Sequence, residues 1–430
     1  MQLNELREDE KEFLMTEKIK IVQKVWGKEH WIVNREYAGK KMVLYKGKQC
    51  SLHFHKIKDE TFYVIKGRVL MECMGERRIM LPGDSQLILP NAPHRFTGIS
   101  EENAEIIEFS THHYDELDTD NFRLVPSQAL TREIIKNPAI YITGDRGYLG
   151  RALKQQLKQS GRLVCGSDIE FFDITNRKEF INELKSVKPR VIIHTAALSD
   201  WLACETYPEM AHKINVNATQ TVANYCQTEG IPLVYISTDF IFSGAKGNYV
   251  ETAIPDPINV YGRTKAAAED VVRKLDEHLI VRAGTYYGVS YFIDRPVFAH
   301  KLLRKLQGGE EYCVATDELS NPTLIQGIAD VLDKLINGSL WGTWHLGGAD
   351  KVSRFDFAHK IAKVFNLNAG LIRGSTIKQL NSDTRRPVDV SLSMAKLNTL
   401  GIYTHTLQSG LVKMKRDYAK RETLLMQELK

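Results

Sequence analysis

No apolar stretch in this 430-residue chain approaches the roughly 20 residues that a membrane-spanning helix needs, so no membrane partner is expected. Met1 to Lys20 is dense in Glu, Asp and Lys and lacks the apolar centre of a secretory signal, so export is not expected either. The six cysteines, Cys50, Cys73, Cys165, Cys204, Cys226 and Cys313, are scattered and form no Cys-x-x-Cys pair. They read as reduced, mostly buried thiols, which makes the cytoplasm the expected location. The charge excess is also small. Lys and Arg number 58 against 53 Asp and Glu, a net +5 with the signs interleaved, so no nucleic-acid footprint is expected. Internal repeats and low-complexity tracts are absent. What is present is an ordinary globular composition, 43% hydrophobic and 26% charged, over a length that implies two or three domains.

The hydrophobic pattern changes character along the chain. Residues 1–25 read as a polar leader. From Trp26 to about Phe109 short alternating runs recur, among them Cys50-Ser-Leu-His-Phe-His55, Thr61-Phe-Tyr-Val-Ile65 and Glu105-Ile-Ile-Glu-Phe109. Period-2 alternation at such spacing predicts an all-β sandwich or barrel over residues 26–112. Residues 113–137, polar and acidic at first, read as a linker. From residue 138 to 430 strands and helices alternate: strand 140–142, helix 149–159, strand 163–165, helix 177–186, strand 191–193, helix 207–228, strand 233–236, helix 261–276, strand 279–281. That order predicts an α/β unit with a parallel sheet, with residues 285–430 supplying a substrate-binding portion.

Two motifs in this α/β region carry chemistry. Gly144-x-x-Gly147-x-x-Gly150 follows a strand and opens a helix, the context of a dinucleotide-binding turn. Gly144 permits the turn, Gly147 lets a pyrophosphate approach, and Gly150 allows close packing, with Tyr148 and Leu149 in the same cofactor-binding stretch. Arg146 would meet a 2′-phosphate and so favour NADPH, whereas Asp168, just after the second strand, would bind a ribose hydroxyl or the adenine edge; NADH stays open. Further on, Tyr261 lies one helical turn before Lys265 and follows the strand that ends in Ser237-Thr238-Asp239. An ammonium beside a phenol can lower its pKa and hold a cofactor ribose. With a hydroxyl upstream, the set can pass a proton to a carbonyl oxygen while a nicotinamide moves hydride.

Over about residues 138–415 the chain resembles the extended short-chain dehydrogenase/reductases, and within them the dTDP-4-dehydrorhamnose reductase group. The resemblance rests on the glycine turn, Pro189-Arg-Val-Ile-Ile-His-Thr-Ala-Ala197, Glu205, Asn215-Val-Asn217-Ala218, Ser237-Thr-Asp-Phe-Ile-Phe-Ser-Gly244, Pro257-Ile-Asn-Val-Tyr-Gly262, Asn321-Pro-Thr323 and Arg386-Pro-x-Asp-Val-Ser-Leu392. It implies a Rossmann-type doubly wound sheet, with Tyr261 as proton donor, Lys265 as pKa modulator and ribose anchor, and Thr238 orienting the carbonyl. Ala196 and Ala197 would line the cofactor. Asp239, Arg282, Asn321 and Arg386 would contact the substrate, a nucleotide-activated 4-keto-6-deoxy sugar, the two arginines through its phosphates. Asp200-Trp201 departs from the family pattern after the alanines.

In the β-rich region His53 and His55 are two apart on one strand and so share a face, and Glu60 and His94 on other strands can converge on them. Three imidazoles and a carboxylate suit a divalent metal, Zn, Mn, Fe, Ni or Co, with positions left for water or substrate. Gly47-x5-His53-x-His55-x4-Glu60-x6-Gly67, followed by Gly83, Pro90 and His94, resembles the cupin superfamily over about residues 26–110. It also resembles metal-dependent sugar-phosphate isomerase cupins, through Val25-Trp-Gly27, His30-Trp31 and Leu89-Pro-Asn-Ala-Pro-His-Arg-Phe96. Tyr63 and Arg95 are candidates for the lumen or rim, in proton transfer or phosphate holding. The cupin-shaped rhamnose-pathway epimerase uses a metal-free His/Asp dyad, which this His-rich barrel does not match.

The expected whole is a bifunctional enzyme of activated-sugar biosynthesis. Its metal-binding barrel would isomerise or epimerise a sugar, and its second part would reduce a nucleotide-activated keto sugar with NADPH. Two rivals are an epimerase or dehydratase of the same fold and a non-catalytic, sugar-binding regulatory subunit. By analogy the assembly would be a homodimer.

Overall fold

Strict alternation of inward and outward residues builds the first part of the molecule. The computed structural model describes residues 19–34, 37–74, 76–100, 102–111, 121–125, 128–129, 140–167, 173–289, 297–380 and 386–428, and the chain divides into two compact units, the first of residues 1–138 with Ser186–Lys188 and the second of the rest. The first unit contains β1 (Lys20–Lys24), β2 (Gly27–Asn34), β3 (Tyr37–Leu44), β4 (Lys48–Gln49), β5 (Leu52–His55), β6 (Glu60–Lys66), β7 (Val69–Cys73), β8 (Glu76–Met80), β9 (Ser85–Ile88), β10 (His94–Gly98), β11 (Ala104–Thr111), β12 (Asn121–Val125) and β13 (Gln128–Ala129). One antiparallel sheet runs β1-β2-β3-β11-β6-β9; the other runs β12-β5-β10-β4-β13, with β7 bonded to β10 and β8 to β7. In β11 the side chains alternate from Ala104 to Thr111, and Ile106 is fully buried. Met42, Leu44, Phe62, Val64 and Met71 fill the space between the sheets, each contributing about 1.5–3 kcal/mol by leaving water. Trp26 and Phe96 meet edge to face, 5.0 Å between ring centroids.

Two expectations are corrected here. Lys20–Lys24, read as part of a polar leader, pairs antiparallel with β2. Residues 121–129, read as linker, contribute β12 to the open side of β5 and β13 to β4. Both are strands at the margin of a sheet, where a polar sequence is normal and the period-2 signal is weak.

The second unit holds a six-stranded parallel sheet in the order β15-β14-β16-β17-β18 and then Gly342–His345. Here β14 is Ile140–Thr143, β15 Val164–Ser167, β16 Val191–His194, β17 Leu233–Thr238 and β18 His278–Ala283. The principal crossover helices are α1 (Tyr148–Gln159), α2 (Arg177–Val187), α3 (Ala218–Glu229) and α4 (Val260–Val272). These strands read as unbroken apolar runs because a parallel sheet is covered on both faces. β14, β16 and β17 are buried at every position. The chain steps to opposite sides of β14 to form β15 and β16, so a crevice opens beyond the carboxyl ends of β14 and β16. Gly342-Thr-Trp-His345 is short and carries no apolar run, so the sequence pattern does not mark it, yet it completes the sheet through pairing with β18. The remaining C-terminal residues form short strand pairs and the helices Phe298–Gln307, Arg354–Phe365 and Leu407–Glu428, which share a separate core around Phe357, Leu302 and Leu411. Among the described residues, no helix is long and apolar enough to cross a membrane.

Candidate functional site

In the first unit β5 puts His53 and His55 on its buried face, β10 places His94 directly opposite His53, and β6 begins with Glu60. The candidate ligand atoms of these four residues lie within 4.8 Å of one another, and all four side chains are buried. His53 Nδ1 is 2.8 Å from the Ser51 carbonyl and His94 Nδ1 is 2.9 Å from the Ala92 carbonyl. A carbonyl only accepts, so each Nδ1 carries the hydrogen and each Nε2 faces the centre as a lone pair. Burial, with His94 adding to it, pushes His53 down to about 4, so it stays neutral near pH 7. His94 Nε2 then meets Glu60 Oε2 at 2.9 Å, one lone pair against another. Either a second proton on His94 or a divalent cation resolves that contact. The donor set fits a metal.

Behind Glu60 lies a row of charges that the sequence reading missed. Lys58 Nζ donates to Glu60 Oε1 at 2.5 Å and to Glu108 Oε1 at 2.7 Å, and Lys40 Nζ is 3.7 Å from the same Glu108 oxygen. Burial opposes the Lys58 ammonium, but Glu108 and Glu60 outweigh it and hold the group above the ordinary lysine range. Burial likewise opposes the Glu60 carboxylate, and His94 and Lys58 together pull it well below its usual range. The missed signal was phase. Lys40 sits between Ala38 and Met42, and Glu108 between Ile106 and Ser110, all at inward positions of their strands. Tyr63 and Arg95, by contrast, fall on the outward phase. Tyr63 is 41% exposed, and Arg95 pairs with Glu72 at 2.8 Å, so neither reaches the lumen.

In the second unit Gly144 ends β14 with φ +67, and a Cβ there would lie 2.9 Å from the Ala196 Cα. A Cβ on Gly150 would lie 2.1 Å from the Gly144 carbonyl oxygen, so the turn closes only with glycine. Gly147 is the N-cap of α1 and no side chain caps the helix, leaving its first amides and its dipole for an anion such as a pyrophosphate. Tyr148 and Leu149 are the first residues of α1, and Arg146 is half-buried in the turn. Ala196, whose amide donates to Thr143 Oγ1 at 3.2 Å, and Ala197 follow β16 across the crevice. Asp168 lies outside the described residues.

The start of α4 is held twice. Asn259 Oδ1 accepts from the Gly262 amide at 2.7 Å, and Glu205 Oε1 accepts from the Val260 amide at 2.5 Å. This fixes Tyr261 beside the end of β17, where the Thr238 hydroxyl opposes the upward push that burial gives the phenol. One turn on, Lys265 donates to the Ile236 carbonyl at 2.7 Å and lies 4.1 Å from the Tyr235 ring centroid. Burial pushes it down to about 7, against the pull of Glu269. The expected lowering of Tyr261 by Lys265 is therefore not what this arrangement shows: the ammonium is engaged by a backbone carbonyl, and the phenol stands above its usual range. Helix residue Asn215 joins the parts, accepting from the Leu198 amide at 2.8 Å and donating to Thr264 Oγ1 at 3.0 Å. It sits in a π-turn, Lys213–Asn217, a distortion frequent at functional sites.

Asp239 is buried beside Thr238, and Tyr286 lies close enough for Tyr261 and Asp239 to act on its phenol in addition to the dominant effect of burial. Arg386 reaches Glu318 at 2.9 Å and stands 5.7 Å from the Trp201 ring centroid; Arg354 pairs with the same glutamate. Asp200 caps the helix Trp201–Thr206, accepting from the Leu202 and Ala203 amides at 3.0 Å each, which accounts for half of the Asp200-Trp201 departure. Two expected substrate contacts are corrected. Arg282 is 1% exposed and bonds Glu269 through Nε at 3.0 Å and Nη2 at 2.8 Å. Asn321 accepts from the Leu392 amide at 2.8 Å and donates to the Gly348 carbonyl at 3.1 Å. Both side chains hold the structure together. Arg282→Ala, which leaves the buried Glu269 with only the partly exposed Arg273 as a charged partner, is expected to destabilise the unit by about 1–3 kcal/mol in urea unfolding. A loss below about 1 kcal/mol would contradict the pairing.

Comparison with known proteins yields two family matches. Residues 40–110 match the model of the cupin domain, and residues 138–420 that of the RmlD substrate binding domain. A dTDP-4-dehydrorhamnose reductase of Aggregatibacter actinomycetemcomitans is 31% identical, covering 65% of this chain and 99% of its own. The methionine adenosyltransferase 2 subunit beta of Rattus norvegicus is 28% identical, covering 64% and 87%. Among solved structures, a dTDP-4-dehydrorhamnose reductase from Bacillus anthracis strain Ames, in complex with NADP, superposes with a TM-score of 0.62. It is 29% identical and covers 65% of this chain and 99% of its own.

Proposed function

Because the chain belongs, over residues 138–420, to the RmlD substrate binding domain family, we propose that its second unit reduces a nucleotide-activated 4-keto sugar with NADPH. The observation that carries this reading is that Tyr261, Lys265 and Thr238 stand at the same carboxyl edge of the parallel sheet as an uncapped, glycine-cradled helix N-terminus. Gly144–Gly150 would hold the pyrophosphate of NADPH, which would supply the hydride. Tyr261 gives its proton to the carbonyl oxygen, and Thr238 orients that oxygen. Lys265, leaving the Ile236 carbonyl, holds the ribose and steadies the phenolate. Arg386 and Trp201 offer a cation and an aromatic face for the nucleotide end. A site that closes over the sugar also excludes water from the hydride path.

The first unit would hold a divalent cation through His53, His55, Glu60 and His94 and isomerise or epimerise a related sugar. The metal would polarise adjacent oxygens of a hydroxy-carbonyl. Consecutive steps on one chain raise the effective concentration of each site for the other's product.

Following the absorbance of the reduced nicotinamide with dTDP-4-keto-6-deoxyglucose, with and without a separate 3,5-epimerase, tests the reading. Oxidation of NADPH without added epimerase, abolished by Tyr261→Phe, means that the first unit either supplies the isomer or is not needed for reduction, and His53→Ala decides which. Oxidation only with it supports the reductase alone. The resemblance to a methionine adenosyltransferase subunit favours a second reading, a non-catalytic, sugar-binding regulatory subunit. NADPH binding without turnover of any nucleotide-activated keto sugar would select it.

A further inference from the structure

The Thr238 hydroxyl has a single proton, and its present partner is an acid. Thr238 Oγ1 accepts from the Phe240 amide at 3.2 Å and donates to Asp239 Oδ1 at 3.1 Å. A hydroxyl that donates to a carboxylate has no second hydrogen to offer a substrate carbonyl. The neighbouring acid is itself built into the site. Asp239 is 4% exposed, and a Cβ on Gly284 would lie 2.5 Å from its Oδ2, so the carboxyl fits only because that position is glycine. Glu318, just before the strand Leu319–Ser320, and Arg354, from its helix, act on it, and it acts in turn on the phenols of Tyr261 from α4 and Tyr286 from the strand that follows β18. Arg354 and Arg386 are both paired with Glu318, so neither cation is dedicated to Asp239. Burial pushes Asp239 up to about 7, against the bond from Thr238.

We propose that Asp239 is a positioning residue of the reductase site, whose neutral acid form donates to Thr238 Oγ1 and turns the threonine proton toward the substrate carbonyl beside Tyr261. As the carboxylate it accepts that proton's hydrogen bond, and the carbonyl loses its second donor. No bond to carbon changes in this exchange: threonine keeps its proton throughout, and Asp239 trades its own with solvent. The inference rests on the reduction proposed above.

Activity falls as pH rises through the Asp239 transition near 7, because the donating form is the protonated one. Lys265, also near 7, gives a limb of the same sign, and Asp239→Asn separates the two. The asparagine amide donates to Thr238 at every pH. With the full chain, NADPH and the keto sugar above, the alkaline limb of kcat in the wild type falls with a limiting slope of about two in log kcat per pH unit, and in D239N with a slope of about one, since only the Lys265 ionisation is left. A slope that is the same in both proteins assigns the limb to Lys265 alone and overturns the proposal. D239A, which cannot donate, is expected to lower kcat about 100-fold with KM changed less than about threefold. A raised KM with kcat retained makes Asp239 a substrate contact and also overturns it. A readout free of turnover separates this inference from the assigned reaction: wild-type protein shows the infrared band of a buried carboxylic acid that bleaches on raising pH through about 7, and D239N lacks it. Absence of that band in the wild type ends the proposal even if no keto sugar is reduced.

Discussion

Tyr261→Phe is expected to lower kcat for keto-sugar reduction by about 1,000-fold while NADPH affinity changes less than about threefold. The substitution removes one oxygen and leaves the ring, which lies 6.1 Å from the Phe240 ring centroid, free to pack as before. Loss of the proton donor leaves hydride to arrive at a carbonyl that must take its proton from solvent in a closed site. Thr238 alone cannot replace it, since an aliphatic hydroxyl orients the oxygen and keeps its own proton. Stopped-flow traces of NADPH oxidation, with a fluorescence titration of NADPH binding, separate the two effects. Retention of more than about a tenth of wild-type kcat would remove Tyr261 from the role of donor and leave the fold assignment untouched.

The second large effect belongs to the first unit. His94→Ala is expected to abolish stoichiometric metal binding, measured by elemental analysis after dialysis against a metal buffer. His94 is fully buried, its Nδ1 is bonded to the Ala92 carbonyl, and its ring lies 4.4 Å from that of His53, so its removal opens one side of the cluster. Even partners that only orient a ligand typically cost about 10–100-fold in affinity, and a ligand itself costs more. Removing the metal from the wild-type protein by chelation should destabilise this unit by about 2.7 kcal/mol relative to metal held at 100 times its Kd. An unchanged metal content in H94A would mean that His53, His55 and Glu60 do not form the site with it.

Much of this was readable in the sequence because it is written in period. His53, His55 and Glu60 announce a shared face through spacing of two and a turn between strands, and Tyr261 and Lys265 through spacing of four on a helix. The glycine turn is read from three residues whose side chains the backbone would not tolerate. Errors arose where a residue's partner is distant in sequence. Arg282 looks like a phosphate ligand until Glu269, 13 residues away, is seen to occupy it. Asn321 looks like a substrate contact until Leu392, 71 residues on, takes its oxygen. Lys40 and Glu108 belong to strands that pair with each other, Lys40 standing directly opposite Glu108, and the sequence does not reveal which strands are neighbours. Tyr63 and Arg95 are each one residue out of phase with a lumen position, which the strand period by itself makes legible.

The pairing of β12 with β5 decides where this polypeptide can be cut. Asn121 stands opposite His55 and Arg123 opposite His53, so the strand that presents two candidate metal ligands is bonded along its outer side by residues beyond position 120. A gene fragment ending at residue 112 would encode every histidine of the site and still expose the backbone of the strand that carries them. Such a fragment is expected to aggregate or bind metal weakly, whereas one extending past Ala129 keeps both closing strands. The same rule governs any exchange of this barrel onto another partner: the seam to respect lies after β13, well beyond the last ligand.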